Sequence, residues 1–535
     1  MDVQTVQLTA KWWAAGITAV LLAGLLLRLH GIHNPVLDHP GWRQGDEASI
    51  ARNFATLRYD ILYPQTNYDG PPPNYVELEL QIVPFIAATA YKIVGVHEII
   101  GRVVTLAFSL GAILILGFFG RWLFTSAVAG LLSALFFAIA PGSIYYGRTF
   151  TPDTTMVFFM CAALYVNARL LLDCEAWHWR TVLWCIVLTT LALLAKPVAI
   201  IMLVPVIVLL FERYFSGRSF RIVPATALIV VPLAVLYAYD AFVSAHAEWH
   251  WTSGITKLHV MPALRAALGG GAPLAIKWAQ FRVMLGMLAH LMIGPAITAL
   301  AILGFLLPAR VMRSRSLLWS WLLAGLAYVF VVVTVQRVDY YMLPLLPLAT
   351  LAAAGFSWRL ILAVAQSALP RSAKYAGAGL AFLGILAIVY QNRAIVQPYY
   401  AYSKQVYRNA TTLDKTLARN ALVVMGHYDP SVLYYIGRYG WEEDPYLWTP
   451  FDEQSAIRKG ARYFIAIEKN RFNRNLELCA WMQRFPVMNP NARWPVYLTD
   501  PAHVKAGAEK AWRAFRNAEK VGNGRAWLDA HGLCR

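Results

Sequence analysis

An adjacent pair of carboxylates, Asp46 and Glu47, stands in the stretch GWRQGDEASIARNF, directly after an apolar run, and Arg43 precedes the pair. A carboxylate at a membrane boundary can take a proton from a hydroxyl group or orient that group. It can also simply cap a helix, because aspartate is a favoured N-cap residue. Both interpretations stay open on this stretch alone.

The residues that follow predict how the pair is positioned. After Gly45, Asp46 is expected to cap a helix and Glu47 to lie in its first turn, where the helix dipole favours anions. Ile50, Phe54 and Leu57 recur at helical spacing and form one apolar stripe. We therefore predict a helix that lies along the membrane surface, with its acidic end at the boundary between water and lipid.

A second acid, Asp153, follows Pro152 in YYGRTFTPDTTM, at the start of another apolar run. It too is expected either to cap a helix or to do chemistry. The predicted topology puts Asp46 and Asp153 on the same face of the membrane at similar depth. Two carboxylates with cations near one boundary suit an enzyme that acts on a lipid phosphate.

Four basic residues are predicted at the outer ends of apolar runs. Long basic side chains can reach the interface by snorkelling, which is the structural alternative. Basic residues are nevertheless expected to be few on this face, and arginine pairs bidentately with phosphate. We predict that these residues bind a phosphate leaving group: Arg102, Arg148, Lys196 and Arg337.

No motif indicates a metal or a nucleotide. His246 and His250 flank Glu248 in AHAEWHW, which is not the HExxH arrangement of zinc proteases. A P-loop and a GxGxxG motif are both absent from the sequence. No cofactor is therefore required, and a divalent metal is possible but not indicated.

The elements that position these residues are membrane helices. The chain has 535 residues, of which 58% are hydrophobic and 14% charged, whereas soluble domains carry about 25% charge. The first apolar run is too long for the core of a signal peptide and lacks a cleavage site, so it is predicted to be retained. About eleven spans are predicted: 12–30, 98–124, 126–145, 152–172, 181–196, 198–212, 222–240, 283–307, 317–335, 339–355 and 374–391.

Residues 181–211 decide the topology, since they form either one long helix or two helices broken at Lys196-Pro197. Three loops, at 212–221, 308–316 and 358–374, each carry three basic residues, and short basic loops stay in the cytoplasm. Only the two-helix interpretation puts all three inside. It places the N-terminus inside and the C-terminus outside.

The predicted fold is a polytopic α-helical membrane domain, residues 1–391, followed by a small extracytoplasmic α/β domain, residues 392–535. The membrane domain carries a first outer loop at 31–97 with surface helices and another at 241–282. In the tail, ALVVMG and RYFIAI are predicted strands, and PSVLYYIGR is a helix between them that starts at Pro430.

The tail holds 21 Lys and Arg residues against 13 Asp and Glu residues. A basic surface outside a membrane favours anionic lipid head groups or an anionic glycan, and nucleic acid is not an expected partner there. Cys479 and Cys534 are expected either to pair in an oxidising compartment or to stay free thiols.

Taken in order, these motifs resemble the GT-C glycosyltransferases of family 39, which include protein O-mannosyltransferases and lipid A aminoarabinose transferases. The resemblance rests on Asp46-Glu47, on the stretch DGPPPNYVELEL, on Arg102 in GRVVTLAFSLGA, on YYGR with the following PD, on AKP, and on YYMLPLLPLATLAAAGF. It covers the membrane part well and the tail loosely. One departure is Gly70, after Asp69, where the aminoarabinose branch has a lysine that contacts the donor phosphate. Neither aminoarabinose nor lipid A is therefore assigned.

The resemblance implies a donor in which a sugar is linked to polyprenyl (undecaprenyl) phosphate, and a site at the outer face of the cytoplasmic (inner) membrane. The acceptor is a lipid, glycan or protein of the cell envelope. Asp46, Glu47 and Asp153 are then the expected catalytic residues, with Asp46 as a general base or an orienting group, and the four cations face the leaving phosphate. In-line attack gives inversion. An acceptor that is itself a phosphate needs no base.

Two other classes stay open. A transporter of lipid-linked sugars also has many helices, although repeats and matched helix breaks are typical of transporters and only the AKP break stands out here. An O-antigen ligase or polymerase uses diphosphate-linked glycans. Release of polyprenyl phosphate, of polyprenyl diphosphate or of neither distinguishes the three classes.

Overall fold

The computed structural model describes residues 9–490 and 492–534. Their contacts divide into two compact units, one with the residues up to Asn34 and Glu77–Ala401, the other with Pro35–Val76 and the residues from Tyr402 onward. The predicted division at 391/392 kept the whole first outer loop with the membrane domain. The structure differs there, because the middle of that loop packs with the tail.

The first unit is a multi-pass bundle of membrane helices. Its α-helices are Ala10–Leu29, Ile82–Val94, Glu98–Leu123, Ala127–Ile139, Pro141–Tyr146, Asp153–Leu172, Trp179–Ala195, Leu203–Phe215, Ile222–His246, Trp251–Gly254, Met261–Leu268, Gly271–Met287, Pro295–Leu306, Arg315–Tyr328, Thr334–Gln336, Leu346–Gln366 and Arg371–Val396. Segments of 3₁₀-helix are Pro197–Met202, Asp339–Leu345 and Gln397–Tyr400, and segments of π-helix are Ile255–Val260, Leu288–Ile293 and Val329–Val333. Short strands occupy Val76–Glu77, at the boundary of the units, and Trp249–His250.

Eight helices of the described residues are long and apolar enough to cross a membrane, and a bent pair, Gly271–Ile293 with Pro295–Leu306, makes a ninth candidate. Shorter apolar helices are Ile82–Val94, Ala127–Ile139 and Trp179–Ala195. These elements account for all eleven predicted spans, and Ile82–Val94 is an additional helix. The span predicted at 283–307 corresponds to a bent pair of helices, because the chain bends by 110° at Gly294.

The helix break at Lys196 is confirmed. Helix Trp179–Ala195 ends there, Lys196 is extended with φ −166°, and a 3₁₀ turn begins at Pro197. Proline removes a backbone donor and disfavours helix at the preceding residue, which explains the break.

The outer loop predicted at 241–282 is mostly helical. Helix Ile222–His246 extends into it, and helices continue from Trp251 to Met287 with an interruption around Gly270. The buried carboxylate of Glu77 accepts hydrogen bonds from the backbone nitrogen and the hydroxyl of Ser253, at 3.0 and 2.8 Å. The segment is therefore attached at its beginning.

The second unit is built on a four-stranded sheet. The strand order is Tyr439–Glu442, Leu422–Met425, Ala461–Ile465, Val496–Leu498; the first three are parallel and the last is antiparallel. Its helices are Gly41–Thr56, Lys404–Thr416, Pro430–Ile436, Pro450–Arg458, Lys469–Arg474, Leu476–Met482, Ala508–Lys520 and Gly524–Ala530, with a 3₁₀ turn at Pro501–His503.

Both predicted strands of the tail are present, and so is the helix between them, with Pro430 as its first residue. The strands Tyr439–Glu442 and Val496–Leu498 were not predicted, since each is very short. Phe464 and Phe515 are fully buried in the core of this unit. A disulfide joins Cys479 to Cys534.

Candidate functional site

Asp46 lies in the second turn of helix Gly41–Thr56, not at its start. The helix begins after Pro40, so the prediction that Asp46 is the N-cap and that Glu47 is in the first turn is wrong. The side-chain amide of Gln44, in the first turn, donates to the Asp38 carboxylate over 2.8 Å. Asp46 and Glu47 are 5% and 0% exposed.

Arg43 provides the counter-charge for Glu47. Its guanidinium lies 2.8 Å from Glu47 Oε1, one helical turn away, and Glu47 is fully buried. A buried charge needs such a partner, because desolvation of an unpaired carboxylate is costly. The basic residue and the second acid of the motif thus neutralise each other, and Asp46 points in another direction, since adjacent helical residues are about 100° apart.

Most of the predicted apolar stripe is buried. Ile50 and Phe54 are 0% and 1% exposed, so these two side chains are covered by protein and do not face lipid as predicted, while Leu57 is exposed. The helix approaches helix Pro430–Ile436 closely at Gly45, where an added Cβ would lie 2.5 Å from Ser431 Cα. The glycine before Asp46 is therefore required by packing.

The surroundings of Asp46 are acidic and aromatic. The Tyr68 hydroxyl hydrogen-bonds to Asp46, and burial, followed by the charges of Asp46, Glu442 and Asp69, raises the pKa of Tyr68 well above its usual range. Burial, followed by the charges of Asp46, Asp69 and Asp429, also raises the pKa of Glu442 well above that of an exposed glutamate. Glu442 therefore keeps its proton to higher pH, which limits the negative charge around Asp46.

Two glycines bring Glu442 to this place. The Gly70 amide donates to the Gly440 carbonyl over 2.8 Å, and the Gly440 amide donates to Asn67 over 3.0 Å. A side chain at Gly440 would collide with the Val423 carbonyl, 1.8 Å from its Cβ. The loop that carries Tyr68 and Asp69 is thus fastened to the strand that ends at Glu442.

Sequence reasoning missed Tyr68, Asp69 and Glu442 as members of this cluster. The run WEED (441–444) was a signal, because three acids in a row are unusual at the end of a strand. The contact between the first loop and the tail had no signal in a single sequence.

In the first unit, Lys196 and Asp153 form an ion pair. Lys196 Nζ lies 2.5 Å from Asp153 Oδ1, and both side chains are buried. The ammonium also lies 4.9 and 4.4 Å from the ring centroids of Tyr340 and Tyr341. Asp153 is the first residue of its helix, and the extended break places Lys196 against it.

Arg102 and Arg148 converge on a single carbonyl. Both are fully buried, and both donate to the Gly31 oxygen, at 2.9 and 3.1 Å. The rings of Tyr145 and Tyr400 lie 4.6 Å from the Arg148 guanidinium carbon. Two cations share one acceptor here, which concentrates positive charge in a site of low dielectric.

Arg337 is placed differently from the other three predicted cations. It is exposed and adopts a left-handed backbone conformation with φ 53°. The side-chain amide of Gln280, with its oxygen toward Arg337, accepts from that guanidinium over 2.5 Å. Asp153 and Lys196 therefore form one pair, and Arg102 and Arg148 share one acceptor. Arg337, in contrast, pairs with Gln280.

A further buried acid of the first unit, Asp339, was not predicted. It accepts hydrogen bonds from the hydroxyls of Tyr146 and Tyr399 and from its neighbour's amide, Tyr340 N, at 2.8 Å. It therefore fixes the segment whose two tyrosines flank Lys196. Asp339 stands in the same stretch, VQRVDYY, as Arg337, but only Arg337 was predicted as a site residue.

Comparison with known proteins agrees with this architecture. Residues 81–239 match the dolichyl-phosphate-mannose-protein mannosyltransferase family. The structure is similar to ArnT from Cupriavidus metallidurans bound to undecaprenyl phosphate, with TM-score 0.58 and 13% identity over 93% of this chain and 100% of that one. It is also similar to the Archaeoglobus fulgidus oligosaccharyltransferase in the apo form, with TM-score 0.59 and 13% identity over 88% and 71% of the two chains.

The chain is a GT-C fold protein, similar to family 39. The GT-C similarity extends to Archaeoglobus fulgidus AglB in complex with an inhibitory peptide and a dolichol-phosphate, with TM-score 0.53 and 13% identity over 92% and 75% of the two chains. A sequence comparison with curated proteins finds no significant match.

The family match covers one part of this GT-C protein's predicted site. Arg102, Arg148, Asp153 and Lys196 lie within residues 81–239. Asp46, Glu47 and Arg337 lie outside them. The match thus includes every predicted site residue of the first unit except Arg337.

Proposed function

We propose that the protein is a membrane glycosyltransferase that moves a sugar from a polyprenyl-phosphate donor to a lipid, glycan or protein acceptor, with inversion, at the outer face of the cytoplasmic membrane. The observation that carries this proposal is the family match over 81–239, because it contains two buried arginines on one carbonyl and a buried lysine-aspartate pair.

The bond changes of the proposed reaction are simple. The acceptor oxygen attacks the anomeric carbon, the bond from that carbon to the phosphate oxygen breaks, and polyprenyl phosphate leaves with the electron pair. Asp46 takes the proton of an acceptor hydroxyl or orients that hydroxyl. Tyr68 supports this role, because its hydrogen bond orients the carboxylate.

The cations serve the leaving group. Arg102 and Arg148 neutralise charge that develops on the phosphate, which buried donors do more strongly than exposed ones. Lys196 acts in the same way, with Asp153 and the two tyrosines holding its ammonium. Arg337, being exposed, is proposed for the rim of the donor site. Glu47 keeps Arg43 paired and acts on the reaction only through helix Gly41–Thr56.

The test is a donor assay with the full chain in lipid nanodiscs. Synthetic polyprenyl-phosphate sugars and their diphosphate counterparts are supplied together with envelope extract from cells that lack the gene, and the lipid product is identified by mass spectrometry. We expect polyprenyl phosphate. Release of polyprenyl diphosphate would assign a ligase or polymerase. Movement of intact donor across the bilayer of proteoliposomes, without release, would assign a transporter.

A further inference from the structure

The tail sheet has a point where the strand order reverses. Leu422–Met425 lies between Tyr439–Glu442 and Ala461–Ile465, and all three strands are parallel. The chain passes from the central strand to one neighbour and then across to the other. In open α/β sheets, ligands bind outside the carboxyl ends of the strands where the order reverses in this way.

His427 and Glu468 lie at that point, just after the two strands between which the order changes. His427 Nδ1 and Glu468 Oε1 are 2.5 Å apart, and both side chains are about one quarter exposed, at 23% and 25%. Backbone hydrogen bonds hold the strand ends together, from Gly426 N to Ile465 O at 2.9 Å and from Glu468 N to Gly426 O at 3.2 Å. The pair is therefore fixed in place and reachable from solvent.

A second ion pair extends the cluster. Arg471 binds the Asp444 carboxylate through two nitrogens, with Nε 2.8 Å from Oδ1, and lies 3.4 Å from Glu468. Tyr428 and Tyr446 are 58% and 52% exposed beside these groups. We call His427, Tyr428, Asp444, Glu468 and Arg471 the switch-point cluster.

The charges of this cluster indicate the class of ligand. Two carboxylates and one guanidinium are already paired with one another or with the imidazole, so there is no surplus positive charge to attract a phosphate. What remains are hydrogen-bonding edges of both kinds and exposed aromatic rings, which are amphipathic. Such a surface suits a neutral ligand rich in hydroxyl groups.

The cluster lies at the carboxyl ends of the parallel strands, as do residues that neighbour Asp46. Glu442 ends the strand that leads to Asp444, and Asp429, two residues after His427, caps helix Pro430–Ile436 by accepting from Ser431 N at 2.9 Å. A ligand bound to the cluster would thus extend along the carboxyl ends of the strands toward Glu442, whose carboxyl group interacts with Asp46.

We propose that the switch-point cluster binds the carbohydrate part of the acceptor. This inference rests on the proposed function, since it names the chemical class of what receives the sugar. It assigns the tail a role in acceptor recognition through His427, Glu468 and Arg471, with Tyr428 against a sugar face.

The test measures saccharide binding without any donor. The full chain in nanodiscs is incubated with oligosaccharides released by mild acid from the envelope of cells that lack the gene, and in parallel with inorganic phosphate. Hydrogen exchange is followed at 426–428 and 466–471. We expect the saccharides to slow exchange there by about threefold or more, because opening is coupled to ligand release, and phosphate to have no effect.

Two variants and a control make the test specific. Glu468→Gln removes a carboxylate from the cluster, and Tyr428→Ala removes a ring that is 58% exposed; both should abolish the protection. Arg525→Gln breaks a more exposed ion pair, Arg525 with Asp529, on another helix and should leave the protection unchanged. Protection that persists in both cluster variants, protection by phosphate, or no protection in the wild type would overturn the inference.

The outcome is separate from that of the donor assay. A wild-type protein that releases polyprenyl phosphate but shows no saccharide protection refutes the acceptor site and leaves the proposed function intact. Saccharide protection in a protein that releases no lipid phosphate from any donor refutes the transferase and leaves a carbohydrate-binding tail.

Discussion

At the scale of single residues, Asp46 is the sharpest prediction. Asp46→Asn keeps the size of the side chain, and because Asp46 is not the helix cap, the start of the helix does not depend on it. Folding and donor binding should survive, while transfer to a hydroxyl should fall by about 10²–10⁴-fold. A stable variant that transfers sugar at the normal rate would show that Asp46 has a structural role and not a catalytic one.

Glu47→Gln is the matched control for that experiment. It removes the charge that neutralises Arg43 in a buried site, so it should lower thermal stability, with a loss of roughly 3–5 kcal/mol for one partner of a buried pair. Its activity per folded molecule should fall less than that of Asp46→Asn. Equal losses of activity would mean that the two acids act as a unit.

The two arginines on Gly31 should be coupled. Arg102→Ala and Arg148→Ala should each weaken donor binding or turnover by roughly 2 kcal/mol or more, as expected for charge-assisted bonds. Because both donate to one carbonyl, the double variant should lose less than the sum. Donor affinity and turnover in nanodiscs measure this, with Arg58→Ala, a partly exposed arginine paired with Asp60, as control. Strict additivity would contradict a shared site.

At the scale of elements, Gly45 makes a prediction about packing. Gly45→Ala puts a methyl group 2.5 Å from Ser431 Cα, so helix Gly41–Thr56 must move away from helix Pro430–Ile436. Overpacking of this kind costs about 1–3 kcal/mol. Thermal unfolding of the full chain should show the loss.

Gly377→Ala is the control for that packing prediction. Gly377 lies in helix Arg371–Val396, and an added Cβ there meets nothing within 4 Å. It should leave stability unchanged or slightly higher, because alanine favours helix. A loss at Gly377 as large as at Gly45 would show that the effect is not packing.

Helix Pro450–Arg458 predicts a pH dependence. Glu453 is fully buried and accepts from Trp448 Nε1 over 2.8 Å, and burial raises its pKa to about 8 from 4.5. The folded state therefore binds the proton more tightly than the unfolded state, so stability falls as pH rises from about 4.5 to 8 and is level above. The slope approaches about 1.4 kcal/mol per pH unit.

Glu453→Gln should remove this dependence and stabilise the tail at alkaline pH, since glutamine keeps the acceptor for Trp448 without a charge. Hydrogen exchange of the strand Ala461–Ile465 between pH 5 and 9, corrected for the intrinsic rate, measures it. A wild-type tail whose protection is constant over that range would contradict a buried neutral Glu453.

The elements also show what a single sequence can predict here. The spans were predictable because lipid demands long apolar runs, and the break at Lys196 because Pro197 follows it. The start of helix Gly41–Thr56 was not, because the helix begins after Pro40 although aspartate favours caps, and Asp46 lies within it. Glu442 joins Asp46 from far along the chain, and no local pattern encodes such a contact.

At the scale of the whole molecule, topology is the first prediction. The basic loops and the break at Lys196 predict that the tail is extracytoplasmic. A reporter that is active only in the cytoplasm should be silent when fused to the C-terminal end of the chain, and the same reporter in loop 212–221 should be active. Reporter activity at the C-terminal end would place the tail in the cytoplasm and contradict the predicted topology.

The disulfide gives an independent check of the same topology. Cys479 and Cys534 pair in the structure, and disulfides persist only in oxidising compartments. Thiol labelling of denatured protein taken directly from cells should therefore find both cysteines protected until a reductant is added. Free thiols at both positions would place the tail in the cytoplasm.

The compact second unit is assembled from two distant pieces of chain, and this orders its biogenesis. Pro35–Val76 leave the ribosome first, but their partners begin only at Tyr402, after the 325 residues Glu77–Ala401. At translation rates of 5–20 residues per second, that interval is on the order of 16–65 s. Throughout it, the segment that carries Asp46 has left the ribosome without the strand that ends at Glu442. Nascent chains stalled before Tyr402 should therefore be cleaved by protease within 35–76, and the protein acquires its acidic cluster only when the tail has been synthesised.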